Sequence, residues 1–333
     1  MNLKGFPGSG LLFALLLLGG VEYALHSEDL LYRYRAVFAA GRALDKMRYV
    51  EAHVPSTLII GNSRVDNGFD PATVQKNLPG AQPGAVFNLG IPGVDTRTLY
   101  GILVRFAHRG LLGPAGIRRV VIGLDESVLQ KDDSNSLGYG VFFNDRGALL
   151  SEGDVANLVR STVRLWGFAD NLKELREPAK LERFIQASRK SVDPVGGSAS
   201  QFLGYRAGFG ALQDAAQIER QEVGSKKPPD AALVRYLERC IDLLAAHDVE
   251  IAIIFPPLLN RRVLYLDEAE VAAEPYREIR AALERRQLPM IDLGADVARD
   301  TRDFINAGHL NDRGAQRFSA LLGQRLSRIW ATP

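Results

Sequence analysis

Five short apolar runs constrain this chain more than any other feature: Leu58-Ile-Ile, Val86-Phe-Asn-Leu, Val120-Val-Ile-Gly-Leu, Ile251-Ala-Ile-Ile-Phe and Met290-Ile-Asp-Leu. Each is bounded by glycine, proline or polar residues, and each is too short for a helix of ordinary length, so each reads as a buried strand. Helical patterns lie between them. Asp70-Pro71 opens one, with aspartate suited to the cap and proline to the first turn. The stretch from Asp95 to Arg109 puts Leu99, Ile102, Leu103 and Phe106 on one face, and Leu233 to Ala246 repeats that spacing. Strands that alternate with helices predict an α/β fold, a mostly parallel sheet covered by helices on both faces.

The alternation breaks between about residues 130 and 229, where polar and glycine-rich stretches such as Lys131-Asp-Asp-Ser-Asn-Ser, Val195-Gly-Gly-Ser-Ala-Ser and Ser225-Lys-Lys-Pro-Pro sit among helical ones. This interval is expected to be an insertion over the sheet and not a separate domain. Its aromatic residues, Tyr139, Phe142, Phe143, Trp166, Phe168, Phe202, Tyr205 and Phe209, either line a substrate groove or pack the insertion down.

From Phe6 to Leu25 the only charged residue is Glu22, and Leu11 to Leu18 is continuously apolar behind Lys4 and the terminal amine. Such a segment is a secretory signal or an uncleaved anchor. Cleavage after Ala24 places Glu22 where a small residue is needed, which favours the anchor. The expected organisation is therefore a signal anchor or transmembrane helix over 1–27, a juxtamembrane helical segment over 28–50 and an α/β domain over 51–330. Arg33, Arg35, Arg42, Lys46 and Arg48 follow the span, opposite to the usual cytoplasmic placement of basic flanks. A buried or interfacial helix of a cytosolic protein is the alternative.

Composition narrows the function classes. A net charge of +2 over 333 residues, with no basic cluster in the α/β part, argues against a nucleic-acid partner. A single cysteine, Cys240, excludes an internal disulfide and a thiolate metal cluster, and its helical context makes it a small core residue.

The chemistry lies in two distant segments. Thr57-Leu-Ile-Ile-Gly61-Asn62-Ser63-Arg64 places a serine where a buried strand opens into a loop, and Asn306-Ala-Gly-His309-Leu310-Asn311 places a histidine just ahead of a C-terminal helix. A hydroxyl becomes a working nucleophile when a base takes its proton, so the fold must bring the two together. Adjacent Asp125 and Glu126 invite a metal reading, but neighbouring residues at a strand end alternate in direction and no histidine is near in sequence; no metal is expected.

The order of these segments resembles the SGNH, or GDSL-like, hydrolase superfamily, and in particular its membrane-associated relatives that handle acetyl groups on exopolysaccharides and cell-wall polymers. Gly61-Asn62-Ser63-Arg64 resembles the first block, Asn88-Leu89-Gly90-Ile91-Pro92-Gly93 the second, Gly123-Leu124-Asp125 the start of the third, and His309-Leu310-Asn311-Asp312-Arg313-Gly314-Ala315 the last. The resemblance runs from about Thr57 to Trp330, outside the insertion. It implies a flavodoxin-like three-layer fold, Ser63 as nucleophile, His309 as base and no cofactor. The Ser63 and Gly90 amides are then the oxyanion donors. Two positions depart from the family pattern. Asn306 stands where an aspartate usually orients the histidine, with Asp303 as a substitute carboxylate, and Asp125 stands where an asparagine donates to the oxyanion. Asn62 and Asn88 are the alternative donors. Arg64 either holds an anionic sugar or acyl carrier, or pairs with Asp66, Asp70 or Asp125.

The expected function is a membrane-anchored, periplasm-facing O-acyl esterase or O-acetyltransferase acting on a secreted polysaccharide through acyl-Ser63, held at the bacterial inner membrane. For transfer, the resemblance implies a multispanning membrane acyltransferase as acetyl donor. Two other readings stay open: a noncatalytic SGNH-like module that binds polysaccharide or scaffolds an export complex, and a cytosolic lipase or thioesterase of the same fold.

Overall fold

The computed structural model describes residues 7–34, 41–130, 136–189, 202–208, 210, 215–221, 227–259, 273–294 and 300–331. Lys4, Arg35, Phe209, the 131–135 and 195–200 stretches and the side chain of Arg42 lie outside the described residues. The chain forms two compact units, one from residues 1–44 and 137–192 and one from 45–136 and 193–333. The expected insertion is thus divided. Its first part joins the N-terminal segment in a unit of its own, and its second part belongs with the sheet.

The second unit is built on the five apolar runs. They form β1 (Thr57–Gly61), β2 (Val86–Gly90), β3 (Arg119–Gly123), β4 (Glu250–Phe255) and β5 (Met290–Asp292). All pair in parallel, in the order β2-β1-β3-β4-β5. Burial on both faces explains why these strands read as continuous apolar runs and not as alternating ones. On one face Ile59, Val121, Ala252 and Ile254 join Val74, Phe318, Leu322 and Leu326 in a common core. Helices Thr96–His108 and Ala231–Ala245 pack together and bury the predicted stripe of Leu99, Ile102, Leu103 and Phe106 along with Leu233, Tyr236, Leu237 and Ile241. Cys240 is buried there, its thiol pushed up by burial and by Asp95. The predicted cap forms, Asp70 accepting from Ala72 N at 3.1 Å, and Asp95 caps the next helix by accepting from Thr98 N at 2.8 Å. A two-residue hairpin, β6 (Phe304–Asn306) with β7 (His309–Leu310), precedes the last helix, Asp312–Ala331.

The first unit is helical. Leu25, Leu31, Val141 and Phe168 form its small core, against which Val21, Tyr34, Phe142 and Leu165 pack. Phe142, Phe143 and Phe168 therefore pack within this unit, and of the two readings of these aromatics packing is the one present. Glu22 is engaged within this unit. Its carboxylate accepts from the amides of Arg164 at 2.9 Å and Leu165 at 2.7 Å, tying the N-terminal helix Pro7–Leu25 to the helix Arg164–Gly167. The expected transmembrane segment is that 19-residue helix. No helix among the described residues is long and apolar enough to cross a membrane. The helix nonetheless exposes Leu11, Leu12, Phe13 and Leu15 to Leu18, with Phe13 69% accessible.

One element positions Ser63. The helix Ser63–Gly68 is only six residues long, too short to be stable alone. Val65 drives it onto the strand ends, where glycine is required: a Cβ at Gly61 or Gly123 falls 2.4 or 2.2 Å from Val65 Cγ2. Lys46 fixes its outer side. This lysine, 1% exposed, donates to Asp66 Oδ1 at 2.6 Å and to the Gly90 carbonyl at 2.5 Å. Lys46→Met leaves the buried Asp66 charge without its cation and is expected to cost about 3–5 kcal/mol in urea unfolding, whereas Lys46→Met/Asp66→Leu restores most of it. A single variant as stable as the parent contradicts this role for Lys46.

Candidate active site

The site forms at the carboxyl ends of β1, β2 and β3, where ligands bind in open parallel sheets. Asn62 caps the nucleophile helix, its Oδ1 accepting from Arg64 N at 3.0 Å, while the Val65 and Asp66 amides bond to the Asn62 carbonyl. Among the described residues the Ser63 N–H has no protein acceptor, as a first-turn donor often does.

Ser63 Oγ lies 2.8 Å from His309 Nε2, so the two distant segments meet. His309 is set by the β6–β7 hairpin, whose register places Asn306 directly opposite His309 across Ala307-Gly308. Asn306 Oδ1 lies 3.0 Å from His309 Nδ1 and accepts from Gly308 N at 2.9 Å. A backbone N–H only donates, so the atom facing it is the amide oxygen. His309 therefore carries its proton on Nδ1 and turns the Nε2 lone pair to Ser63. The amide thus fixes the tautomer, because Gly308 orients it. What Asn306 lacks is charge. Asp303 is not its substitute, being fully buried against Arg313 at 3.2 Å and Arg317 at 2.9 Å.

Asp125 is not an oxyanion donor either. Fully buried, it accepts from Asn62 Nδ2 at 2.8 Å, from the Ser127 amide at 2.8 Å and from Ser127 Oγ at 2.5 Å, and pairs with Arg64 Nη1 at 2.8 Å. Burial opposes its ionisation, but the Arg64 charge and these donors outweigh it and hold its carboxyl below the usual range. Arg64 is held by this pair and reaches the Gly308 carbonyl at 3.3 Å, so it links the strand ends to the histidine hairpin. Of the two readings of Arg64, the ion pair with Asp125 is the one present.

The other named donors are also engaged. Asn62 Nδ2 gives its second hydrogen to Ser127 Oγ at 2.7 Å. Asn88 Nδ2 donates to the Val65 and Phe69 carbonyls, both at 2.7 Å, while its Oδ1 accepts from Gly90 N at 2.8 Å. Gly90 is needed for close packing, since a Cβ there falls 2.3 Å from Asp66 N. Asn62, Asn88 and Gly90 therefore brace the nucleophile helix, which corrects their assignment as oxyanion donors. In the next turn Gly93, at φ +73°, has an amide with no protein acceptor among the described residues. Ile91 N donates to Gly61 O at 2.8 Å and holds that turn against the end of β1. Gly93 is the second candidate donor beside Ser63, and the Ile91-Pro92-Gly93 turn was the sequence signal for it.

Burial, reinforced by the Arg64 and Arg206 charges, pushes the His309 pKa down to about 4, against the opposing pull of Asp125 and Asp66. The imidazole is therefore neutral at pH 7, the form a general base requires.

No protein-family model matches the chain, and no curated protein sequence matches it. Three solved structures illustrate the similarity found. A Bacteroides fragilis protein described as an acylhydrolase is 12% identical, with 84% of this chain and 93% of that one covered at a TM-score of 0.37. A carbohydrate acetylesterase family member from Sinorhizobium meliloti is 14% identical, with 82% and 98% covered at 0.35. A Desulfitobacterium hafniense protein described as a lipolytic protein of the G-D-S-L family is 11% identical, with 82% and 99% covered at 0.33.

The His309 environment sets a pH profile. For an acyl ester, the acid limb of kcat/KM is expected at about pH 4, with activity lost below it as Nε2 is protonated. Asn306→Asp, by placing a carboxylate on Nδ1, is expected to move that limb up by about 1–3 pH units. A limb that stays in place in this variant contradicts the Asn306–His309 contact.

Proposed function

We propose that this protein is an SGNH-like serine acyl-ester enzyme. The observation that carries the reading is the relay Asn306 Oδ1, His309 Nδ1–H, His309 Nε2 and Ser63 Oγ, with contacts of 3.0 and 2.8 Å. Ser63 Oγ attacks the ester carbonyl carbon and passes its proton to His309 Nε2. The oxyanion forms toward the Ser63 and Gly93 amides, which have no protein acceptor among the described residues, and such a donor contributes about 10²–10³ in rate. Collapse breaks the bond to the alcohol, which leaves with the proton from His309, and acyl-Ser63 remains. An incoming hydroxyl then repeats the sequence in reverse: water releases the acid, and a sugar hydroxyl takes the acyl group.

The natural substrate in this proposal is an O-acetylated, secreted polysaccharide on the periplasmic side, and a transferase role brings a multispanning acyltransferase as donor. The sequence resemblance supports both. Attachment to the membrane is supported by the apolar face of the first unit. Besides Leu11 to Leu18, it exposes Val155 and Val159, four residues apart on one helix face, Val163 at the C-terminal cap of that helix, and Trp166, a residue suited to the lipid interface. The full-length protein is expected to sediment with membranes and to be released by detergent, not by high salt. Recovery in the soluble fraction contradicts this attachment.

The competing reading is a noncatalytic binding module, favoured by the missing carboxylate at Asn306. Hydrolysis of an activated acetyl ester by the full-length protein separates the two. The expected result is a burst and an acetyl adduct on the Ser63 peptide. Ser63→Ala is expected to lower kcat by on the order of 10⁴-fold or more, and His309→Ala by about 10²–10⁴-fold. A folded protein that shows no turnover, no adduct and no reaction with a serine-directed phosphonate is a binding module.

A further inference from the structure

The Ala307-Gly308 turn ahead of His309 has four backbone polar groups, and each is held by a different partner. Ala307 N donates to Gln221 Oε1 at 3.0 Å, and Ala307 O accepts from Leu259 N at 2.9 Å. Gly308 N donates to Asn306 Oδ1 at 2.9 Å, and Gly308 O accepts from Arg64 Nε at 3.3 Å. Glycine is the residue freest to rotate, so the bonds on either side of the Gly308 Cα decide how the peptide leading into His309 is turned. Of the four partners, only Arg64 belongs to the helix that carries Ser63.

Arg64 is itself immobilised. Its Nη1 pairs with Asp125 Oδ2 at 2.8 Å, and its side chain is only 12% exposed. Asp125 is fixed in turn by Asn62 Nδ2 and the Ser127 amide, and Asn62 Oδ1 accepts the Arg64 amide. A guanidinium carries its donors in one rigid plane and so can hold a carboxylate and a carbonyl together, which the compact ammonium of lysine on its flexible stem does less sharply. The contacts close a ring. Ser63 Oγ meets His309 Nε2, His309 Nδ1 meets Asn306 Oδ1, Asn306 Oδ1 meets Gly308 N, and Gly308 O meets Arg64, the residue next to Ser63.

We infer that Arg64 is a positioning residue for the base: anchored on Asp125, it holds the Gly308 carbonyl and so keeps the His309 ring between Asn306 Oδ1 and Ser63 Oγ. The inference rests on the esterase reading and deepens it by giving the Asp125–Arg64 pair a task in it. Arg64 touches no reacting atom and works through Gly308. Without it the Gly308–His309 peptide is free to rotate, the ring leaves Asn306 Oδ1, and His309 populates both neutral tautomers.

The test reads the His309 ring by ¹⁵N NMR of histidine-labelled, detergent-solubilised full-length protein, with His309→Gln identifying its signals, alongside hydrolysis of an activated acetyl ester. The wild-type protein is expected to show the Nδ1–H tautomer alone at pH 7. Arg64→Met/Asp125→Asn removes the contact and leaves neither buried charge unpaired. It is expected to show both tautomers and a kcat lower by about 10²-fold. Arg64 lowers the His309 pKa and Asp125 raises it, while Arg206 and Asp66 stay in place, so removing both charges moves the acid limb little and separates a lost position from a changed field. Arg64→Lys keeps the ion pair and lacks the fork. It is expected to lose about tenfold in kcat, and it decides the matter where the neutral pair does not fold. Adding Asn306→Asp to either variant is expected to restore the single tautomer, since either carboxylate oxygen accepts from Nδ1–H. Variants that keep the wild-type tautomer and kcat overturn the inference and leave the esterase reading standing. A tautomer that is single in the wild type and mixed in the variants, in a protein that turns over no ester, sustains the positioning role and sinks the catalytic reading alone.

Discussion

A six-residue helix carries Ser63, and buried ionic contacts hold it where it is. Helix formation is cooperative, and a segment of this length gains too little from its own hydrogen bonds to persist. Lys46 fixes Asp66 on one side, and the Asp125 carboxylate gathers Arg64 and the Asn62 cap on the other. Charges this deep do little for stability compared with well-packed apolar groups, but they define position sharply. Each requires a partner in one geometry, and Ser63 lies between them. Val65 completes the seat by occupying space that glycine leaves open at the ends of β1 and β3.

The same charges set the character of the base. A carboxylate behind a catalytic histidine fixes the tautomer and stabilises the imidazolium. Here the two jobs are separated. Asn306, oriented by the Gly308 amide, fixes the tautomer, while ionic stabilisation comes only at longer range from Asp125 and Asp66 and is opposed by Arg64 and Arg206. The result is a weak base that stays unprotonated well into acid. In the proposed reaction such a base accepts a proton reluctantly but returns it readily to a leaving alcohol.

The sheet was legible because burial on both faces writes a strand as a short unbroken apolar run, and all five runs became strands. Ser63 and His309 were legible because a strand end and a helix start bracket them. The oxyanion side was less so. Gly90 and Gly93 share one turn, and which amide is free depends on whether the Asn88 side chain claims the nearer one, a matter of side-chain direction that residue spacing does not encode. Lys46 reads as a solvated flank of the N-terminal segment, since a lysine on a helix is usually exposed. Its burial follows from the helix Gly41–His53 reaching the sheet's edge. The 202–208 segment carries no helical or strand periodicity, and only its contacts with Asn88 and Asp66 give it a place.

That segment has a further consequence for the molecule as a polymer. β2 is an outermost strand of the sheet, and an unpaired strand rim is a template on which another chain can add. Leu203 occupies the Asn88 amide, and Gly204 lies flush against the Asn88 carbonyl, so a passing strand finds the middle of that rim already covered. At the opposite rim β5 is only three residues long, which offers little to build upon. The 202–208 segment thus blunts the edge that such addition requires, and variants that loosen it are expected to lose solubility.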